Sequence, residues 1–191
     1  MPGLSVAIRQ MIAISDREWK VFVKQCSNRK FANKEFLCTQ NDISDEVFFI
    51  EKGITRSLLI DQQGTEHTIH FSMENQFICD YASFLTKQPS SNSIQALAET
   101  EAVVIPRKAI EWGYQNLKEG DRLGRLIAEY YFIYFDARLK NLYFHTPAER
   151  YEKIGQIFPH IHRRVPQHMI ASYSWHHARS LEPTQKEKQK I

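Results

Sequence analysis

The chain is poor in the residues that staple a fold or hold a metal. Its three cysteines in 191 residues, Cys26, Cys38 and Cys79, are odd in number and show no CxxC spacing. That excludes a disulfide framework or zinc ribbon and points to a reducing compartment. No apolar run approaches the roughly 18 residues that cross a bilayer. The start, MPGLSVAIRQMIAIS, lacks the basic flank, apolar block and small-residue cleavage site of a secretory signal. The expectation is a cytoplasmic protein without a membrane partner. No residue set supports nucleophilic or acid-base catalysis, so a non-enzyme is expected. His67 and His70, with Glu66 beside them, would point to opposite faces of a strand, which argues against a cupin-like metal site. His160, His162 and His168, near a proline-bounded loop, and the adjacent pair His176-His177 are also weak metal candidates.

What is present is ordinary globular material, with 42% apolar and 25% charged residues, enough for one good core and a second small one. The net charge of +3 is too small by itself to indicate nucleic acid, but the C-terminal third is more basic than the middle. Leu4 to Ile14 is a short amphipathic stretch, and Ser15 with Glu18 makes a capping-box signature for a helix over 15–27. From Lys34 the period changes. Phe36, Val47 to Ile50, Ile54, Leu58 and Ile60 lie in short β-branched and aromatic runs, separated by turn signals at Gln40 to Ser44, Lys52-Gly53 and Asp61 to Gly64. Strand signals continue at His67 to Phe71, Gln76 to Ile78 and Ser93 to Ile105. Helix signals return at Lys108 to Leu117.

The stretch from Asp121 to His145 organises the rest. Asp121 is the expected N-cap after Gly120, only Gly124 interrupts the run, and Pro147 stops it after roughly seven turns. Leu123, Ile127, Tyr130, Tyr134, Ala137 and Asn141 recur at alternating steps of four and three, which draws one seam. Leu126, Ile133, Leu139, Leu142 and Tyr143 form a second, broader set. The helix therefore buries two faces, one for its own domain and one for a partner copy, or else lies wholly buried in a monomeric bundle. After it, Thr146-Pro147 and Pro166 each open a further helix.

The order FIEKG (Phe49 to Gly53), a turn at Asp61 to Gly64, FICDYASFLTKQPSSNSIQAL (Phe77 to Leu97), a long helix and RVPQHMIASY (Arg164 to Tyr173) resembles the Crp-Fnr family of transcription regulators over residues 15 to 173. The resemblance implies an α+β chain: an antiparallel β-roll of the double-stranded β-helix or jelly-roll type flanked by helices, over 1–119; a dimerisation helix, over 120–145, with the first seam at its interface; and a small helix-turn-helix domain, over 146–191. It implies a homodimer on double-stranded DNA, with RNA polymerase as a further partner. Arg163, Arg164, Gln167, His168 and Ser172 are the expected DNA-contacting residues. The family's iron-sulfur branch needs more cysteines than Cys26 and Cys38.

Nucleotide-binding members hold phosphate on a short helix and loop reading roughly FGE(L)…RSA. Helix-terminal amides and an arginine neutralise the anion, and the acid takes the ribose hydroxyl. This chain has Cys79 for the glycine, Asp80 for the acid, Ser90 for the arginine and Ser91 for the small hydroxyl. The long helix offers Ala137 and Arg138 where a hydroxyl would meet the adenine edge. Arg138 either supplies the missing charge or lies on the solvent face. A remnant pocket of Cys79, Asp80, Tyr81, Ser90, Ser91 and Arg138 is expected to bind a small molecule other than cyclic AMP, or none. A plain turn remains the simpler reading of Ser90 and Ser91 alone. No cofactor is assigned.

The family continues past IASY with a pattern like LGIT, a proline and (E/G)xLSR(I/L)RK. This chain reads SWHHARSLEPTQKEKQKI from Ser174, with no turn glycine and with Pro183 inside the expected recognition helix. Trp175 has the single codon TGG and His176 begins with C, so a frame one base later reads GGC, glycine. The shifted codons then allow Ile or Thr, Met or Thr, and Pro. Leu181 to Thr184 permit Leu-Ser-Arg-Leu, and Gln185, Lys186 and Glu187 each force Lys or Arg. Residues from Ser174 are expected to be a shifted reading of a recognition helix, which would impair DNA binding in this version. A divergent basic tail is the competing reading. A small-molecule-binding β-roll with no DNA role is the competing function.

Overall fold

The computed structural model of the chain describes residues 1–175. Two helices come first, α1 (Pro2–Met11) and α2 (Asp16–Val23). The Ser15 side chain accepts from the Glu18 amide and Glu18 reaches back to the Ser15 amide, so the capping box forms as expected. The helix stops at Val23, short of the expected 27, because Ser27–Phe31 is already strand β1. That strand has four exposed polar positions and only Phe31 buried, so its sequence carries no alternation. It is held by antiparallel pairing to a later strand.

The remaining strands are β2 (Phe36–Cys38), β3 (Glu46–Lys52), β4 (Thr55–Ile60), β5 (Glu66–Ser72), β6 (Phe77–Ile78), β7 (Ser93–Ala96) and β8 (Thr100–Pro106). The expected single run from Ser93 to Ile105 is thus two strands in different sheets. The sheets are four-stranded and antiparallel, ordered β1-β8-β3-β6 and β2-β7-β4-β5. The chain passes repeatedly from one sheet to the other, as a jelly-roll does. Phe31, Phe48, Ile50, Ile78, Ile94 and Val104 fill one buried cluster of the roll. At the β3–β4 turn Gly53 takes φ 113°, and a Cβ there would fall 2.8 Å from the Thr100 Cα. The β4–β5 turn is an Asx turn: Asp61 accepts from the amides of Gln63 and Thr65, each at 2.9 Å.

Between β6 and β7 lies a short helix, α3 (Tyr81–Thr86). After the roll come α4 (Arg107–Asn116), α5 (Gly120–Phe144), α6 (Pro147–Ile157), α7 (Ile161–Arg164) and α8 (Gln167–Tyr173). The N-cap of α5 is Glu119, without a side-chain cap, and not Asp121. The helix starts earlier because α4 and α5 cross tightly: a Cβ on Gly120 would lie 2.1 Å from the Gly113 carbonyl oxygen. The Thr146 capping box with Pro147 at the start of α6 follows the expectation. The one-turn α7 was not anticipated.

Leu4, Ile8, Phe22, Phe49, Val103 and Leu123 belong to a second buried cluster, which ties α1, α2 and α5 to the roll. A third joins Ile54 and Phe71 of the roll region to Ile154, Phe158, Ile161 and Tyr173 of the trailing helices. No described helix is long and apolar enough to cross a membrane.

Candidate functional site

A cavity of about 970 Å³ lies between the roll and α5 and runs toward α1 and α4. Its walls are mainly aliphatic and aromatic, with Ile69, Ile78, Phe84, Leu117 and Ile127 among them. Polar groups are few. Ser57 and Asn92 reach it from the roll, Cys79 and Asp80 from the segment leading into α3, and His70 from β5; Tyr81, Tyr114, Glu129 and Tyr131 also line it.

Asp80 decides the electrostatics at the start of α3. It is the N-cap of α3, and its Oδ1 accepts from the Ser83 amide at 3.2 Å. Its Oδ2 accepts from the Ser90 hydroxyl at 2.5 Å. Both residues are buried. The chain's own carboxylate therefore occupies the place where helix amides would receive a bound anion. Ser91 lies outside this arrangement; it is exposed and donates to Asn92 Oδ1 at 2.9 Å. Tyr81 is 44% exposed and stacks on Phe84. Burial, with the Asp80 charge as the lesser cause, pushes the Cys79 thiol up to about 12, which leaves it inert as a nucleophile.

Arg138 is not in this pocket. Its guanidinium lies 3.7 Å from the Tyr173 ring centroid and donates to the Tyr173 carbonyl at 3.2 Å. It lies neither beside Asp80 nor on a bare solvent face, but clamps α8 to α5. Arg107 lies 4.1 Å over the Phe84 ring, yet its charge is paired with Asp45. A cation that sequence reasoning missed, Arg56, is 4% exposed; it donates to Gln95 Oε1 at 2.8 and 3.1 Å and pairs with Glu66. The TRSLLI stretch gives no sign of that burial, which arises only when β4, β5 and β7 are assembled.

His70 and His67 separate as expected. His67 is exposed and bonds Asp61 Oδ2 at 2.8 Å, whereas His70 is buried with Nδ1 3.0 Å from the Tyr134 hydroxyl. Burial, and secondarily the Arg138 charge, hold His70 down at about 3, so it is neutral. No group of three metal-ligating side chains occurs among the described residues.

The expected dimer seam is corrected in part. Leu123 and Ile127 pack into the chain's own core, and Tyr134 is bonded to His70 and Tyr173. Tyr130 and Ala137 are exposed and Asn141 is half-buried. The uncovered apolar line runs one residue round the helix, through Phe132, Phe135 and Leu139, flanked by Ile133 and Tyr143. The expected DNA contacts also divide. Arg163, Gln167 and His168 are exposed. Arg164 instead donates to both Glu74 oxygens at 2.7 and 2.8 Å and to the Gly53 carbonyl, and the Ser172 hydroxyl accepts from the Thr68 amide at 2.9 Å. These two are occupied by the roll because α8 lies against β5. Apart from Ser174 and Trp175, the out-of-frame stretch, including His176 and His177, lies outside the described residues.

Residues 28–116 match the cyclic nucleotide-binding domain family. No curated protein matches the sequence. Among solved structures, the chain is similar to the catabolite activator protein of Thermus thermophilus, with 15% identity, TM-score 0.59, and coverage of 89% of this chain and 80% of that one. It is also similar to a putative transcriptional regulator of the crp/fnr family from Eubacterium rectale, with 12% identity, TM-score 0.68, and coverage of 86% and 78%. A third is the c-di-GMP responsive global regulator of Xanthomonas campestris, with 10% identity, TM-score 0.65, and coverage of 83% and 84%. The roll thus matches the cyclic nucleotide-binding domain model over residues 28–116, and the roll, long helix and trailing helices together have the fold of the solved CRP/FNR-type regulators.

Proposed function

We propose that this chain is a dimeric, cytoplasmic transcription regulator of the Crp-Fnr type, in which a sensor roll is coupled through α5 to helices that in an intact version read double-stranded DNA beside RNA polymerase. Its effector is not cyclic AMP. The observation that carries this reading is the connection of one continuous helix, α5, to both a ligand-sized cavity and α8. Asp80 and Ser90 argue against a phosphate, because an anion brought to α3 meets a fixed carboxylate and no arginine. A change in the roll would move α5 and with it the spacing of two readers about one DNA turn apart.

The reader of this version is interrupted after Tyr173. Trp175 follows α8 at φ 54°, a left-handed conformation that costs a side-chain-bearing residue roughly 1 kcal/mol and glycine nothing. The shifted frame places its forced glycine there. Resequencing the codons for Tyr173 to Ile191, then restoring the shifted frame, tests both halves. The restored chain is expected to select a palindromic site, with Arg163, Gln167 and His168 near the duplex. The present chain would show only salt-sensitive binding from Arg163, Lys186, Lys188 and Lys190. A restored chain that binds ligand but no DNA sequence overturns the regulator reading in favour of a sensor without a DNA role.

A further inference from the structure

Among the described residues, no lysine or arginine lines the cavity, and its only formally charged wall groups are the carboxylates Asp80 and Glu129. Glu129 is spent on Arg125 at 2.8 Å, and the two Asp80 oxygens on Ser83 and Ser90. His70 carries no charge near neutrality and its Nδ1 is committed to Tyr134. The Tyr131 hydroxyl donates to the Phe77 carbonyl. What remains is a predominantly apolar wall with a few uncharged polar side chains, Ser57, Tyr81, Asn92 and Tyr114, of which Asn92 already accepts from Ser91 through Oδ1. Volumes of roughly 300–1,000 Å³ hold whole small molecules, and orientation comes from one or two polar groups. A buried anion here would lose its hydration and gain no cation.

We propose that the cavity binds an uncharged, predominantly apolar molecule bearing a single hydroxyl or amide head, with that head on one of the uncharged polar side chains of the wall and its apolar body against α5. The proposal deepens the sensor reading, on which it rests, by naming the chemical class of the effector. Such a ligand touches Ile127, Tyr131 and His70 and so bears directly on the helix that leads to α8.

The test is titration of the full chain with the neutral fluorophore N-phenyl-1-naphthylamine, followed by displacement with dodecanol, dodecanoate, dodecylammonium and cyclic AMP. One saturable site per chain is expected, with dodecanol displacing the probe at a concentration at least about tenfold below that of either charged analogue. Ile69→Trp fills the cavity and removes probe binding. Ala82→Trp, on the exposed side of α3, weakens it without endangering the fold. Leu139→Lys, on α5 outside the cavity, leaves it unchanged. Absence of a saturable site, preference for the carboxylate or ammonium, or loss only in Leu139→Lys overturns the proposal. Displacement by cyclic AMP overturns it together with the exclusion of that nucleotide. The regulator reading fails separately, in the DNA selection with the restored frame.

Discussion

The hydroxyls of Tyr134 and Tyr173 lie 2.9 Å apart and join the middle of α5 to the last turn of α8. On its other side Tyr134 meets His70 Nδ1 at 3.0 Å, so one phenol links the cavity wall, the long helix and the trailing helices. Tyr134→Phe removes that hydroxyl and leaves two buried groups short of a partner. The expected loss is about 1–3 kcal/mol in urea unfolding, with faster hydrogen exchange in α8. A change confined to β1 and β2 would contradict the bridging role.

The neutral His70 makes the fold sensitive to acid. Its folded value of about 3 lies below the ordinary 6.5, so the unfolded chain takes up a proton that the folded chain refuses between those values. This group's contribution to stability is full above pH 6.5 and is lost progressively as pH falls from there toward about 3. The groups facing it are Tyr131, Tyr134, Phe135 and Arg138 from α5 and Phe158 beyond α6. His70→Gln is expected to flatten the profile between pH 6.5 and 5 in urea titrations. An unchanged slope would place the acid sensitivity elsewhere.

Glu74 adds a second, lower window. The Arg164 hydrogen bonds hold its carboxyl at about 2 against an ordinary 4.5. Its contribution is therefore present above pH 4.5 and is lost as pH falls toward 2. The pair is partly exposed, at 30% and 34%, so Glu74→Gln is expected to cost no more than about 1 kcal/mol. Its clearer effect is on docking: exchange protection in α7 and α8 should fall, while that of α5 stays.

Glycine positions separate packing from propensity. Nothing lies within 4 Å of a Cβ added at Gly155, so Gly155→Ala should stabilise α6 by about 1 kcal/mol. At Gly120 the same addition meets the Gly113 carbonyl oxygen at 2.1 Å and the Tyr114 Cα at 3.1 Å, both backbone. Gly120→Ala should lower the melting temperature despite the better helix former. Opposite signs for the two variants are the result to look for in thermal melts.

Sequence patterning reveals elements wherever one side chain in two or in three to four is apolar. Val47 to Ile50, Ser15 with Glu18, and Thr146-Pro147 all speak locally, and each sits in the element expected. It does not reveal β1, whose SNRKF carries no alternation and is a strand only because β8 pairs with it. Nor does it reveal the burial of Arg56, or the engagement of Arg164 with Glu74 ninety residues away. For the cavity, the serine at position 90 in place of an arginine is legible only against the pattern of the family the chain resembles, and the Asp80 to Ser90 bond is a property of the folded loop.

The two seams of α5 show the same limit and lead to the last prediction. Steps of four and three fit Leu123, Ile127, Tyr130 and Tyr134, and they fit equally the line Ala128, Phe132, Phe135, Leu139 and Leu142. A rotation of one residue, about 100°, separates them. Periodicity cannot say which line faces the chain's own core; the packing of Leu123 and Ile127 does. Phe132 is 74% and Leu139 54% exposed, a contiguous apolar stripe of the kind that two copies cover in a coiled coil. Phe132→Glu with Leu139→Glu should convert a dimer to a folded monomer in light scattering coupled to gel filtration, with far-ultraviolet dichroism retained. Ile127→Glu should unfold the chain instead, because that charge enters the intramolecular core. A dimer that survives the double variant would place the copy-to-copy interface on another face.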